Sequence, residues 1–290
     1  MQNANQHNSN LTTLYNQALH FTKSHYENFP VISFFVPKHL RKFIAVVYQF
    51  ARQADDIADE GNFTEAERLD NLQSYNAELQ KSFKGEFESD FWKVFNDTIF
   101  QNKLSVENFS KLLKAFEQDL SQKKYEDYED LLQYCQNSAN PVGRIILEIY
   151  DVRNNDAIKF SDSVCTALQL TNFYQDVKID LEKGRVYIPQ NEIKNFSFSN
   201  EQLFNCKPTQ EFIELMKFQI ERTRKLFFDG RKILPLLPFR LKFQILVTIK
   251  GGEAILKKIE DINYDILNHR PKLTKFDFTK LFFEAIILRR

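Results

Sequence analysis

The sequence predicts an all-α protein, and three observations predict it. Only 7 Gly and 8 Pro punctuate 290 residues, so helices can run long between breaks. Leu, Lys, Glu, Gln and Phe are abundant while β-branched runs are short, a composition with high helix propensity. Apolar residues recur three and four apart along most of the chain, which is helical rather than strand periodicity. No internal repeat or linker divides it, so one helical domain is expected over residues 11–290 behind a disordered lead, 1–10.

The lead is polar and Asn-rich, with no apolar stretch. A first helix is expected over Leu11 to Asn28, ended by Phe29-Pro30. Pro37 fits the start of the next, whose core face is Leu40, Phe43, Ile44, Val47 and Ala51, and Gly61 fits its stop. Thr64 to Lys84 reads as an outer amphipathic helix. Further helices follow over Phe91 to Gln101, Ser105 to Leu120 with Ser105 as N-cap, and Tyr128 to Asn137. Pro141 should bend or break the chain there. Ser161 to Lys183 reads as one helix, followed by the loop Gly184 to Pro189 and an Asn- and Phe-rich stretch to Pro208. Helices resume over Glu211 to Ile233, Phe239 to Ile249, Glu253 to Asn268 and Asp277 to Arg290; Gly251-Gly252 marks a turn or a close backbone approach.

Composition narrows the function classes. With 39 basic and 39 acidic residues the formal net charge is zero, so no whole-chain field points to nucleic acid. Cys135, Cys165 and Cys206 are odd in number, far apart and without metal-ligand spacing, as expected of structural thiols in a reducing compartment. No run approaches the roughly 20 apolar residues of a spanning helix, so a cytoplasmic or peripheral protein is expected. The 29 Phe are a large number: most should fill a core, yet a wall of aromatic rings also suits a long apolar ligand or a carbocation.

Two acidic helix ends carry the chemistry. Tyr48, Arg52, Asp55 and Asp59 are spaced four, three and four, and Gln169, Asn172, Asp176 and Asp180 are spaced three, four and four; each set shares a helix face. Acidic groups at a helix C-terminus oppose the macrodipole, so something cationic should offset them. One such cluster reads as a solvated helix end, with Arg52 as a surface ion-pair partner for Asp55 or Asp56. Two with the same spacing favour oxygen ligation of Mg²⁺, an ion that bridges a few carboxylates to phosphate oxygens and stabilises a departing diphosphate. The fixed fork of Arg52 could take two of those oxygens.

With these residues in view the chain resembles the trans-isoprenyl diphosphate synthase group that contains squalene and phytoene synthases, from about Leu14 to Lys272. The resemblance rests on Tyr48-x-Phe-Ala-Arg-x-x-Asp-Asp-x-x-Asp59, Tyr134 with Pro141-Val-Gly143, Asn172-x-x-x-Asp-x-x-x-Asp180 and Gly184-Arg-Val-Tyr-Ile-Pro189, in that order. It implies an isoprenoid-synthase-type helical bundle around a central cavity, with Mg²⁺ and a prenyl diphosphate at the acidic mouth. Asp55, Asp59, Asp176, Asp180 and Asn172 would be metal ligands. Tyr48 and Arg52 would meet the diphosphate or the ionising centre, and Gln169, Tyr134 and Tyr264 would line the cavity beside it. Arg185 and Arg270 would be diphosphate contacts; solvated loop arginines and core tyrosines are the competing readings.

Within the group the resemblance is closest to the hydroxysqualene synthase branch of bacterial hopanoid pathways, through Asn28-Phe-Pro-Val-Ile-Ser33, Ala54 to Glu60, Ser138-Ala-Asn-Pro-Val-Gly-Arg144 and Thr171 to Asp176. Three positions depart from the wider family. Gln175 stands where an Arg usually precedes the Asp, Asn140-Pro141 where a Gly and an apolar residue are usual, and Asn28 where a Ser commonly faces diphosphate. A fixed positive charge is thereby lost at Gln175, which disfavours handling two diphosphates. Asn140 is a buried-amide candidate for holding water beside a cation, or else a cap at the helix break.

The resemblance and these departures imply Mg²⁺-dependent ionisation of presqualene diphosphate and capture of the rearranged cation by water. No nicotinamide cofactor is expected, since no Gly-rich dinucleotide fingerprint occurs. The rival readings are a head-to-head condensing squalene or phytoene synthase and a noncatalytic lipid-binding or assembly member. The C-terminal helix, with Phe282, Phe283, Ile286 and Ile287 beside Arg289 and Arg290, offers a face for peripheral contact with the inner face of a membrane; packing against the domain is the competing reading.

Overall fold

A computed structural model describes residues 2–24 and 36–287. Asn28, with the rest of Asn28 to Ser33, and Arg289 and Arg290 lie outside the described residues. Among those described, every named element is helical. The chain divides into two compact units, 1–121 with 144–153 and 122–143 with 154–290.

The first unit holds α1 (Gln2–Ser24), α2 (Lys38–Asp59), α3 (Glu65–Phe83), α4 (Asp90–Asn102) and α5 (Val106–Ser121). α1 extends back through the residues expected to be disordered: neither Gly nor Pro interrupts it, so nothing stops a helix anchored by buried Leu14, Tyr15 and Ala18 from propagating toward its N-terminus. Pro37 occupies the N-cap position of α2 and Gly61, at φ +78°, follows its end. Thr64 and Glu67 close a capping box at α3, so that two orphan amides are satisfied reciprocally. The core is aromatic. Phe50 of α2 stacks on Phe95 at 5.0 Å and meets Phe109 edge-on at 5.2 Å, arrangements that add about 0.5–1.5 kcal/mol each beyond area burial.

The second unit opens with α6 (Tyr128–Ser138). α7 (Asn140–Ile149) begins in this unit and ends in the first. The chain breaks at Ala139, just before Pro141, as the proline demands. α8 (Asn155–Gln175) is capped by Asn154, whose Oδ1 accepts from the Ala157 amide at 3.0 Å. α9 (Val177–Glu182) follows after a break at Asp176, so the expected single helix over 161–183 is two. Two short helices, α10 (Gln190–Asn195) and α11 (Asn200–Phe204), occupy the stretch read as irregular. α12 (Gln210–Gly230) leads through a 3₁₀ helix, Arg231–Leu236, to α13 (Phe239–Asp261), and α14 (Lys275–Ile287) closes the unit.

Gly251-Gly252 does not turn the chain; it lies inside α13. A Cβ on Gly252 would stand 2.4 Å from the Phe227 ring, so the second expectation, a close approach, is the right one. Gly143 does the same at α8: a Cβ there would stand 2.5 Å from both Cys165 Sγ and Ser161 Oγ. α13 stops at Asp261, and the residues expected to extend it form a turn in which Asn263 and Tyr264 have φ +50° and +61°. α14 packs on α13 through buried Leu281 and Ala285, the Phe243–Phe282 ring pair and the Lys250–Glu284 ion pair at 2.8 Å. Among the described residues no helix is long and apolar enough to cross a membrane.

Candidate active site

In the first unit α2 turns its apolar side inward through Phe43, Phe50, Ala54 and Ala58, which leaves Tyr48, Arg52, Asp55 and Asp56 half-buried and Asp59 exposed. Arg52 is the centre of this end. Its Nη1 donates to Asp55 at 3.1 Å, and its Nη2 lies 2.7 Å from Asp56 and 2.6 Å from Glu60. Burial raises the Asp55 carboxyl above its ordinary value, Arg52 works against that rise, and the like charges of Asp59, Asp56 and Glu60 add to it. The cation expected to answer the macrodipole has a second source. Arg68 of α3 donates to the carbonyls of Ile57 at 3.2 Å, Ala58 at 2.7 Å, Glu60 at 2.9 Å and Gly61 at 2.8 Å, closing the carbonyl end of α2.

In the second unit Gln169 is half-buried and Asn172 exposed on α8. The break at Asp176 does not disperse the predicted face: the Asp176 amide donates to the Asn172 carbonyl at 2.9 Å and the Asp180 amide to the Asp176 carbonyl at 2.9 Å. Residues four apart therefore stay one turn apart. Arg270 donates from Nε to Asp176 Oδ1 at 2.5 Å, and Gln175, one residue earlier, donates from Nε2 to the Pro271 carbonyl at 2.6 Å. Two adjacent side chains thus hold two adjacent residues of the segment after α13. Nothing local foretells this, because the partners are 94 and 96 positions apart.

The loop Gly184 to Pro189 is tied down by the Val186 amide donating to the Lys123 carbonyl at 2.8 Å and the Gln190 amide to the Tyr125 carbonyl at 2.9 Å. It thereby lays Tyr187 flat on Phe173 of α8, ring centroids 3.8 Å apart. Tyr134 is buried against both rings, at 6.0 Å from Phe173 and 5.9 Å from Tyr187. A small cavity here is lined by Phe173, Val177, Asp180, Arg185, Tyr187 and Leu203, so Asp180 and Arg185 share it. Asn140 is buried and accepts through Oδ1 from Thr166 Oγ1 of α8 at 3.0 Å. Its partner is thus a side chain of the neighbouring helix. Tyr264 lies in its left-handed turn with Lys217 Nζ 5.5 Å above its ring, and burial, with Glu260 adding, raises its hydroxyl above the ordinary value. For a bulky residue that φ is an outlier costing about 1–3 kcal/mol.

The structure therefore gathers Asp176 with Arg270, Asp180 with Arg185, and Tyr134 with Phe173 and Tyr187 in one unit, and Arg52 with Asp55 in the other. Sequence reasoning gave Asp56 only an ion pair with Arg52, which it makes, and gave no role to Glu60, Arg68, Phe173 or Tyr187. The last two had a signal, since Phe173 is one helical turn before Asp176 and Tyr187 lies inside a motif already singled out.

The donor set fits a hard divalent cation. At the end of α2, Asp55, Asp56 and Glu60 pair with Arg52, Asp59 adds a further like charge at Asp55, and that like-charge cost is one that a cation removes. Among the described residues no three His, Cys, Asp or Glu are gathered closely enough to hold a metal alone.

Oxygen donors and guanidinium groups side by side on helix ends define a helical protein equipped to meet phosphate oxygens. Residues 22–277 match the squalene/phytoene synthase family, and the chain belongs to that family of prenyl diphosphate-processing enzymes. It is 30% identical over 238 residues to the hydroxysqualene synthase of Sinorhizobium fredii, covering 81% of this chain and 80% of that one. It is 26% identical over 274 residues to the 15-cis-phytoene synthase of Synechococcus elongatus, covering 90% and 89%. The crystal structure of squalene synthase HpnC from Alicyclobacillus acidocaldarius superposes with a TM-score of 0.84 at 35% identity, covering 88% of this chain and 95% of that one. The fold is accordingly the isoprenoid-synthase helical fold, and family members bind prenyl diphosphates and generally use divalent metal ions.

Proposed function

We propose that this chain is a hydroxysqualene synthase: it ionises presqualene diphosphate, and water captures the rearranged cation. The C–O bond to diphosphate breaks with its electron pair leaving on diphosphate. The cyclopropylcarbinyl cation rearranges, a water oxygen bonds to the allylic carbon and gives up a proton, and hydroxysqualene and diphosphate result. Asp55, Asp59, Asn172, Asp176 and Asp180 would hold Mg²⁺, which when bound neutralises the departing diphosphate. Arg52, Arg185 and Arg270 would take diphosphate oxygens, and Tyr48, Tyr134, Gln169 and Tyr264 would face the ionising centre. Asn140, fixed through its Oδ1 by Thr166, would orient water. No nicotinamide is needed, because water ends the reaction.

The observation that carries this reading is Gln175. It places a neutral amide beside Asp176 and spends it on the Pro271 carbonyl, so this helix supplies no fixed charge of its own for a second diphosphate. The similarity to the Sinorhizobium fredii enzyme supports it. The similarity to a phytoene synthase over 90% of the chain keeps head-to-head condensation as the second reading. Incubation of purified protein with Mg²⁺ and either presqualene diphosphate or farnesyl diphosphate separates them. Hydroxysqualene from the first substrate is expected; farnesyl diphosphate consumed with release of presqualene diphosphate, and no turnover of the latter, would sink the proposal. Asp176→Asn should abolish turnover, which a noncatalytic lipid-binding or assembly role does not require.

A further inference from the structure

The exit of α12 and the entry of α13 form an exposed apolar and basic surface. Phe228 is 70% exposed, Leu236 40% and Phe239 57%. They are not loose ends. Ile233 and Leu237, between them, are buried, so the 3₁₀ helix is anchored from beneath while its neighbours face outward. Lys232 Nζ, at the start of the 3₁₀ helix, lies 6.0 Å from the Phe228 ring, and Leu236 and Phe239 stand at its exit. Pro235 and Pro238 also remove two backbone donors that would otherwise require water.

Charge identifies the occupant. Residues 225–242 carry Lys225, Arg231, Lys232, Arg240 and Lys242 against Asp229, five minus one, in a chain of zero formal net charge. Arg231 is taken up by Glu253 at 2.5 Å; discounting that pair still leaves an excess of three. Lys225 and Arg240 are exposed, and Lys232, paired with Asp229 at 2.6 Å, stands beside the Phe228 ring; basic groups next to exposed aromatics are the pattern of a surface that meets anionic headgroups while its rings enter the acyl boundary. α14 also exposes Phe276, Phe278 and Phe283, and within Lys275–Ile287 two Lys are balanced by Asp277 and Glu284, with Arg289 and Arg290 outside the described residues.

We infer that the surface around Phe228, Leu236 and Phe239, rather than α14, docks the protein on an anionic lipid membrane. The inference rests on the proposed function only for its purpose, since a C30 product leaves into lipid more readily than into water. The test therefore uses no substrate, and a failure of docking is read separately from a failure of the chemistry. The full chain is floated with phosphatidylcholine vesicles, with and without phosphatidylglycerol. Binding is expected to need phosphatidylglycerol and to weaken with salt. Lys225→Gln and Arg240→Gln should each weaken it about five-fold, and the double variant Phe228→Ser/Phe239→Ser roughly ten-fold or more, with thermal melting unchanged because these side chains are exposed. Phe276→Ser/Phe278→Ser should leave binding as it is. No binding to phosphatidylglycerol vesicles, binding indifferent to the Phe228/Phe239 variant, loss only with the α14 variant, or a dimer that the Phe228/Phe239 variant splits without any vesicle binding would each overturn the inference.

Discussion

Gln175→Ala tests whether the amide that replaces a family arginine positions Arg270. The substitution removes one hydrogen bond of 2.6 Å to the Pro271 carbonyl. Such a bond contributes about 0.5–1.5 kcal/mol net, and a buried carbonyl left without its donor costs about 1–3 kcal/mol. Pro271 is buried, so the loss falls on the segment that carries Arg270. The ion pair to Asp176 does not compensate: its side chains are 41% and 30% exposed, and partly solvated pairs contribute only about 0–1 kcal/mol. If Arg270 donates to a diphosphate oxygen, a charged bond of about 1.5–3 kcal/mol is at stake. Arg270→Ala should then weaken binding of inorganic diphosphate in the presence of Mg²⁺ by about 10- to 100-fold, and Gln175→Ala by about five-fold. Calorimetric titration of wild type, both single variants and the double variant closes the cycle. In the Arg270→Ala background the Gln175 substitution should have almost no further effect. Equal five-fold weakening in both backgrounds, or none in either, refutes the positioning role.

Three further outcomes follow from the same geometry. The Asp55 pKa is raised on folding, so its contribution is fully favourable below the unfolded value and is lost as pH rises through the folded one; Asp55→Asn in metal-free buffer should melt no lower than wild type at pH 7, with any advantage shrinking toward pH 4. Added Mg²⁺ should stabilise wild type and not the variant, and a variant that melts well below wild type at pH 7 contradicts the account in which burial, with the neighbouring like charges adding, raises this carboxyl. Glu192 is buried and holds Arg222 at 2.5 Å and Gln219 at 2.8 Å; Glu192→Leu should cost about 3–5 kcal/mol in urea unfolding because it strands a half-buried guanidinium, and a cost under about 1 kcal/mol refutes that. Gly143→Ala should destabilise by about 1–3 kcal/mol through its contact with Ser161 and Cys165, and pairing it with Cys165→Ala should recover part of the loss.

Much of the scaffold was legible because it depends on local rules. The breaks at Pro141 and Gly61 follow from proline and glycine chemistry, and the first half of the inner face of α2, Leu40, Phe43 and Ile44, from periodicity; beyond it Phe50, Ala54 and Ala58 are buried while Val47 and Ala51 are half-buried. The misses occurred where tertiary packing or a fine balance overrides a pattern. α13 runs through two glycines because Gly252 must pass close to Phe227. The helix over 161–183 breaks at Asp176 while its hydrogen bonds from Asn172 to Asp180 continue, so the face was foreseen and the kink was not. For the site, side-chain identity and spacing marked both acidic ends, but partners came from afar: Arg68 closes α2, and Gln175 reaches Pro271.

Helical class, family and the two carboxylate faces are readable from the residues alone, because helix periodicity and motif spacing act over three or four residues. What each polar group touches is set by the packing of distant segments. Arg52 meets three carboxylates, Asn140 meets Thr166, and Gln175 ties down the segment that brings Arg270 to Asp176. The distant partners depend on how helices pack, and no local spacing encodes that.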